Sequence, residues 1–90
     1  MKDNKLLAEY LNQLYYPFEW HPDKDWNQLM MVVEKIEKEC ERPEDFLFSM
    51  WRDAFGSGVY RGVIFRGNIS DGATFIEAVY NACVEYIKSK

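Results

Sequence analysis

Residues 25–39, DWNQLMMVVEKIEKE, carry the clearest hydrophobic pattern in the chain. Their apolar side chains recur at spacings of three and four and therefore share one side of a helix: Trp26, Leu29, Met30, Val33 and Ile36. Asp25 is followed three positions later by Gln28, a spacing close to the capping box that satisfies backbone N–H groups at a helix start. We predict an amphipathic helix over 25–39 and expect the domain to be organised around it.

Two further helices are predicted, one before this stretch and one at the end of the chain. Over 3–15 the apolar side is formed by leucines and a tyrosine, Asp3 or Asn4 can cap the start, and Pro17 disfavours helix at the residue before it. Over 71–88 a broad apolar face includes Cys83, and Ser70 or Asp71 is the expected N-cap. The sequence thus predicts three amphipathic helices.

Two strands are predicted between the second and third helices. Residues 58–66 are rich in β-branched and aromatic side chains and are bounded by glycines, which is typical of a strand. Residues 46–52, FLFSMWR, fit two interpretations. Their ring content favours a strand, whereas Pro43 in a first turn would begin a helix. We adopt the strand, and residues 16–21, which alternate large and polar side chains, are a candidate for a third short strand.

These elements predict a single α+β domain over 1–90, with a small antiparallel sheet packed against three helices. Both faces of the predicted hairpin carry large apolar side chains, so we expect helices to cover both faces. A two-stranded sheet leaves both edges unpaired, and such edges favour pairing with another chain. The sequence therefore predicts a homodimer formed by strand addition.

Composition narrows the classes of function. The 90 residues carry a net charge of −4 and are 48% hydrophobic. An acidic chain argues against a general nucleic-acid binder, which usually presents a basic face. With no apolar run long enough for a membrane span and no signal-peptide pattern, we expect a cytoplasmic protein with reduced thiols at Cys40 and Cys83 and no association with membranes.

The reactive residue types do not form a convincing constellation. His21, Asp23 and Asp25 could bind a metal ion, but they also fit a turn whose aspartates cap the following helix, and we favour the turn. A cysteine nucleophile would have to use the same histidine. Cys83 lies on a face predicted to be buried, and the carboxylates around Cys40 would raise its pKa. We therefore predict no catalytic residue, no metal site, no cofactor and no enzymatic activity.

Two stretches resemble a known family. Residues 26–36, with their Val-Val-Glu-Lys-Ile core, and residues 75–87, FIEAVYNACVEYI, are similar to motifs of small uncharacterised phage and prophage proteins of the phage α-β-α sandwich domain family. The matches cover about half of the chain. The resemblance implies helices flanking a small sheet and a phage or prophage origin. It implies no activity and no catalytic residues.

The aromatic content suggests a protein-interaction module that associates with itself. Three tryptophans, six tyrosines and six phenylalanines exceed what one small core encloses, and exposed rings are enriched at protein interfaces. The candidate interaction surface is Trp20, Met31, Trp51 and Tyr60. The alternative is a nucleic-acid-binding accessory protein. Residues 54–70 contain no acidic side chain. Arg61 and Arg66 lie within this stretch and Arg52 just before it, and these three arginines could contact phosphates.

Overall fold

The computed structural model describes residues 3–40, 46–52, 60–65 and 69–89. Its elements in chain order are α1 (Asn4–Tyr10), α2 (Trp26–Glu39), β1 (Phe46–Arg52), β2 (Tyr60–Phe65), β3 (Ile69–Gly72) and α3 (Phe75–Lys88). The strands form one antiparallel sheet in the order β1-β2-β3. This confirms the predicted α+β architecture, including the strand over 46–52. Residues 58–59 and Arg66, at the ends of the predicted second strand, lie outside the described residues.

The third strand lies at Ile69–Gly72 and not at 16–21, where we had a candidate. Residues 17–19 form a turn, in which the N–H groups of Glu19 and Trp20 both donate to the carbonyl of Tyr16, at 3.0 and 2.9 Å. Backbone groups engaged within the turn cannot join a ladder. β3 instead pairs along β2, with Ile69 opposite Val63 and Gly72 opposite Tyr60.

The first helix ends at Tyr10, well before the predicted end at residue 15. Asn12 adopts the left-handed conformation with a φ of 62°, which few residues other than glycine tolerate. The Gln13 N–H then donates to the carbonyl of Ala8 at 3.1 Å, and the Asn12 N–H donates to that of Glu9 at 3.0 Å. These two bonds form a Schellman motif, which ends α1 at Tyr10, so Pro17 does not determine the end of the helix. Leu14 therefore leaves the apolar stripe and is 74% exposed.

The helix starts differ in part from the sequence prediction. Asp25 caps α2 as expected, because its carboxylate accepts from the Asn27 N–H at 2.9 Å. The predicted caps of α3 are wrong, since Ser70 and Asp71 belong to β3. Thr74 caps α3, its hydroxyl accepting from the Glu77 N–H at 3.2 Å. Threonine with glutamate three residues later is the capping-box pair.

The central element of the domain is α3 and not α2. α3 contacts all three strands and both other helices. Its buried residues surround most of its circumference, as expected for a helix enclosed on several sides: Ala78, Val79, Tyr80, Ala82, Cys83, Val84 and Tyr86. Gly62 and Gly72 let its backbone lie directly on the sheet, because a Cβ at either position would meet backbone atoms of Ala78 within 3.2 Å.

Of the described helices, α3 is the one that packs along all three strands, and it lies on one face of the sheet; a helix on the second face stays a prediction. Gly62 and Gly72 point at α3, so their neighbours along the strands point away from it. On that second face Trp51 pairs with Arg61 across the strands, and Ile69 pairs with Val63, which is buried. Trp51 is 37% exposed and Ile69 is 55% exposed.

In the described part of the chain, no helix is long and apolar enough to cross a membrane.

Candidate interaction surface

An open groove of about 430 Å³ lies between the loop after α1 and the exposed side of α2. Leu14, Tyr16 and Met31 provide its apolar walls, and Trp20 contributes to its base. Three polar residues complete the lining: Gln13, Glu19 and Gln28. An apolar concavity with a few polar groups at its rim is the form that binding sites commonly take.

The loop that builds the groove is fixed to α2 by Gln28. Its Nε2 donates to the carbonyl of Glu19 at 2.8 Å, and its Oε1 accepts from the backbone N–H of His21. The Gln28 amide therefore binds the loop and does not close the capping box that its spacing to Asp25 suggested. The Nε2 of His21 lies 3.1 Å from the carbonyl of Phe18, which is a further polar contact across the turn.

Two of the four residues predicted for interaction meet at this groove. Met31 is 46% exposed, as expected for an apolar residue on the polar side of the predicted helix, and it forms part of the groove wall; its role in binding stays a prediction. Trp20 is only 6% exposed, so its prediction as a surface residue is wrong. Its indole Nε1 donates to the carbonyl of Asn4 at 2.7 Å, and this bond holds the ring in the core.

Trp51 and Tyr60, the other two, lie on opposite faces of the sheet. Trp51 faces away from α3. Tyr60 pairs across the strands with Gly72, and because Gly72 faces α3, Tyr60 lies on that same face. The Tyr60 ring is half-buried and packs edge-on against Phe75, with ring centroids 4.5 Å apart. These two residues do not form one surface, and their role in binding stays a prediction.

The arginines proposed for nucleic-acid contact are also divided between faces. Arg52 lies opposite Tyr60 and its guanidinium is 5.8 Å from the centre of that ring. Arg61 lies on the other face, where it forms an ion pair with Asp71 at 3.3 Å. Arg66 is outside the described residues. The sheet therefore does not bring Arg52 and Arg61 together into one basic surface.

His21, Asp23 and Asp25, the residues considered as a possible metal site, have separate structural roles. Asp25 caps α2, as favoured, and the His21 ring contacts the turn carbonyl of Phe18. Asp23 is buried and accepts from Asn4 Nδ2 at 3.0 Å. Among residues 3–40, 46–52, 60–65 and 69–89, no group of three or more histidine, cysteine or acidic side chains is placed to hold a metal ion.

Asn4 joins three parts of the core through its buried side chain. Besides donating to Asp23, it accepts from the Tyr80 hydroxyl at 2.8 Å, so it links α1 with the loop before α2 and with α3. Burial by itself raises the pKa of Asp23, but the net effect is a pKa below the usual value of an aspartate, and hydrogen bonds from Asn4 and the backbone are the largest contributions that lower it. From the sequence we predict for Asn4 only the role of a helix cap, so this buried link is not foreseen.

The two cysteines differ in accessibility, which predicts different reactivity. Cys83 is fully buried, and burial raises its pKa to about 12, whereas Cys40 is half-buried at the end of α2. Because the thiolate is the reactive form, we expect a thiol reagent at mildly alkaline pH to modify Cys40 at least ~100-fold faster than Cys83. Peptide mass spectrometry of the folded protein would measure both rates, and denaturant should equalise them. Equal rates in the folded protein would contradict the burial of Cys83.

Sequence reasoning missed three exposed residues near the groove. Leu14 was assigned to the buried stripe of a longer helix, and Tyr16 to a possible strand, yet Leu14, Tyr16 and Phe18 are 74%, 54% and 94% exposed. The signal that could have found them is Asn12, an amino acid that tolerates the left-handed conformation and ends helices.

Comparison of the chain with protein-family models, curated proteins and solved structures gave no match.

Proposed function

We propose that this protein is a non-enzymatic module that binds other proteins and associates with itself. The observation that carries the proposal is the exposed apolar surface at the groove. Leu14, Tyr16 and Met31 line it, and Phe18 stands beside it in the turn between Tyr16 and Glu19. Large apolar side chains gathered on a small protein's surface are characteristic of sites where another protein docks. We call these four residues the apolar patch.

Three features support a binding role over a catalytic one. Burial raises the pKa of Cys83 and keeps its thiol protonated. The His21 ring contacts a backbone carbonyl, and Asp23 is bound by Asn4 within the core. These groups stabilise local structure and are not arranged as a nucleophile with an adjacent base.

The sheet offers a second surface for self-association. β1 is an edge strand of the described sheet, so the outward N–H and carbonyl groups along it have no strand beside them in that part of the chain. Its single charged residue is Arg52, at its end. Edge strands with few charges are suited to pairing with another strand. A phage or prophage origin and a cytoplasmic location stay predictions.

Co-purification tests the proposal directly. We expect tagged protein, after chemical cross-linking in cells, to retain a protein partner or an untagged copy of itself in near-equal amount. The Tyr16→Ser variant should lose that partner, because Tyr16 is 54% exposed on the groove wall. Ile69→Ser is the matched control, since Ile69 is 55% exposed on the sheet and away from the groove.

Two results would contradict the proposal. Recovery of no protein, even with cross-linking, would remove the binding role. A partner lost on nuclease treatment and at raised salt would instead favour nucleic-acid binding, because phosphate contacts weaken steeply with salt.

A further inference from the structure

We propose that the apolar patch is a two-fold dimer interface in which Phe18 of each copy inserts into the groove of the other. This inference rests on the proposed self-association and specifies its surface. The geometry that suggests it is an exposed ring on a turn whose neighbouring residues line a concavity. Phe18 is 94% exposed in the 17–19 turn, and Tyr16 before it and Glu19 after it line the groove.

A two-fold axis requires a surface that complements itself. When a projection and a hollow lie side by side, rotation by half a turn places each against its counterpart in the second copy. The groove is large enough for the ring, because its volume is about 430 Å³ and enclosed cavities of about 150 Å³ already admit benzene. Its lining of leucine, tyrosine, tryptophan and methionine suits an aromatic ring.

The exposed area matches the need of a dimer. An aromatic or long apolar side chain presents on the order of 200 Å² when free, and the four members of the apolar patch are 46–94% exposed. Together they offer on the order of 500 Å² of apolar surface. A standard interface buries about 800 Å² per partner, a little over half of it apolar. The apolar patch alone thus provides the non-polar share of one such interface.

Charge favours a second copy as the occupant. Residues 11–20, LNQLYYPFEW, contain a single charged side chain, Glu19, although the whole chain carries −4. Two copies of a chain with net negative charge repel each other at long range, whereas this loop adds little like charge to the contact. A basic partner would in contrast need acidic groups around the groove, and its lining holds only one.

The loop is also held in place before binding. Gln28 bonds to the loop backbone on both sides of Trp20, and the carbonyl of Tyr16 accepts two N–H groups of the turn. A side chain presented on a fixed turn loses less conformational entropy when it docks, which strengthens association for the same contacts.

Sedimentation equilibrium up to about 1 mM protein tests the dimer. We expect the wild-type chain to dimerise and Phe18→Ser to weaken the dimer roughly 100-fold, because the two-fold axis removes both central rings at once. Met31→Glu, which places a charge in the groove, should weaken it similarly. Ile69→Ser on the sheet is the matched control and should leave dimerisation unchanged. All four proteins should keep the same circular dichroism spectrum, since these side chains are exposed.

Mixing the two defective variants distinguishes reciprocal insertion from a general loss of hydrophobic association. The Phe18→Ser variant keeps an intact groove, and the Met31→Glu variant keeps the Phe18 ring. In the mixture, the ring of the second variant can insert into the groove of the first, so one of the two insertions can form. The mixture should associate at least about 5-fold more tightly than either variant alone, as measured by sedimentation of the mixture. A mixture no tighter than the separate variants would overturn reciprocal insertion.

Other outcomes separate this inference from the proposed function. If the wild-type chain stays monomeric, the proposed dimer is wrong. Binding to other proteins is a separate claim, which the co-purification experiment tests. A wild-type dimer that survives Phe18→Ser overturns the role of the apolar patch and leaves self-association standing, with β1 as its remaining surface.

Discussion

Replacing Gly72 with alanine is expected to lower the free energy of unfolding by about 3 kcal/mol. A Cβ at this position would lie 2.5 Å from the backbone nitrogen of Ala78 and 2.8 Å from the carbonyl carbon of Glu77. Because both atoms belong to the backbone of α3, a side-chain rotation cannot relieve the overlap, and the helix must move away from β3. For a domain of this size the loss corresponds to a decrease in Tm of roughly 12–24 °C.

Gly62→Ala is the matched control for this prediction. Its Cβ would meet the nitrogen of Val79 at 3.0 Å and the carbonyl group of Ala78 at 3.1–3.2 Å, so a shift of a few tenths of an ångström suffices. Alanine also reduces the entropy of the unfolded chain, which recovers about 0.4–1 kcal/mol in both variants. We expect a net loss of about 1 kcal/mol or less for Gly62→Ala. Urea denaturation of both variants would contradict the described contact if Gly72→Ala were the more stable of the two.

The sequence predicts the long amphipathic elements well, because their apolar residues repeat over several turns. Residues 25–39 were assigned within one residue of α2, and 46–52 match β1. It predicts short elements poorly. β3 has the sequence ISDG, which contains one apolar residue and resembles a turn. Its strand conformation depends on β2 and α3, and such long-range contacts are not visible in a local pattern.

The candidate site shows the same limit. Met31 was identified because it is an apolar residue on the polar side of a predicted helix, a signal that local periodicity provides. Leu14 was misplaced because the end of α1 depends on one left-handed residue, Asn12. Trp20 was misjudged because its hydrogen-bond acceptor, the carbonyl of Asn4, lies 16 residues earlier in the chain. The spacing of apolar residues shows which face of an element is apolar. It does not show which distant group forms a hydrogen bond with a buried polar atom.

Replacing Asn4 with alanine should lower the free energy of unfolding by about 2–4 kcal/mol at neutral pH. The substitution removes the acceptor of the Tyr80 hydroxyl and a donor to the Asp23 carboxylate, and all three side chains are buried. Losing one partner of a buried charged group costs more than losing an exposed hydrogen bond, because water cannot replace it. The Trp20 bond should persist, since it uses the backbone carbonyl of Asn4.

The loss should also depend on pH in a defined direction. In the wild-type protein the pKa of Asp23 is below its usual value, in part because of the hydrogen bond from Asn4. The resulting stabilisation is therefore fully present above about pH 5 and disappears as the pH falls through the pKa of the folded state. In Asn4→Ala the effect of burial remains while one donor is gone, so the pKa of Asp23 should be higher. The stability difference between the two proteins should be largest near neutrality and shrink below about pH 4.

Urea denaturation of wild-type and Asn4→Ala protein from about pH 7 to pH 3 would measure this trend. Asn27→Ala is the matched control, because Asn27 is also in the first turn of a helix but is exposed. Its effect should be small and independent of pH. A stability difference for Asn4→Ala that stayed constant down to pH 3 would mean that the ionised Asp23 carboxylate is not stabilised by Asn4. The three buried side chains would then be held together by neutral hydrogen bonds alone.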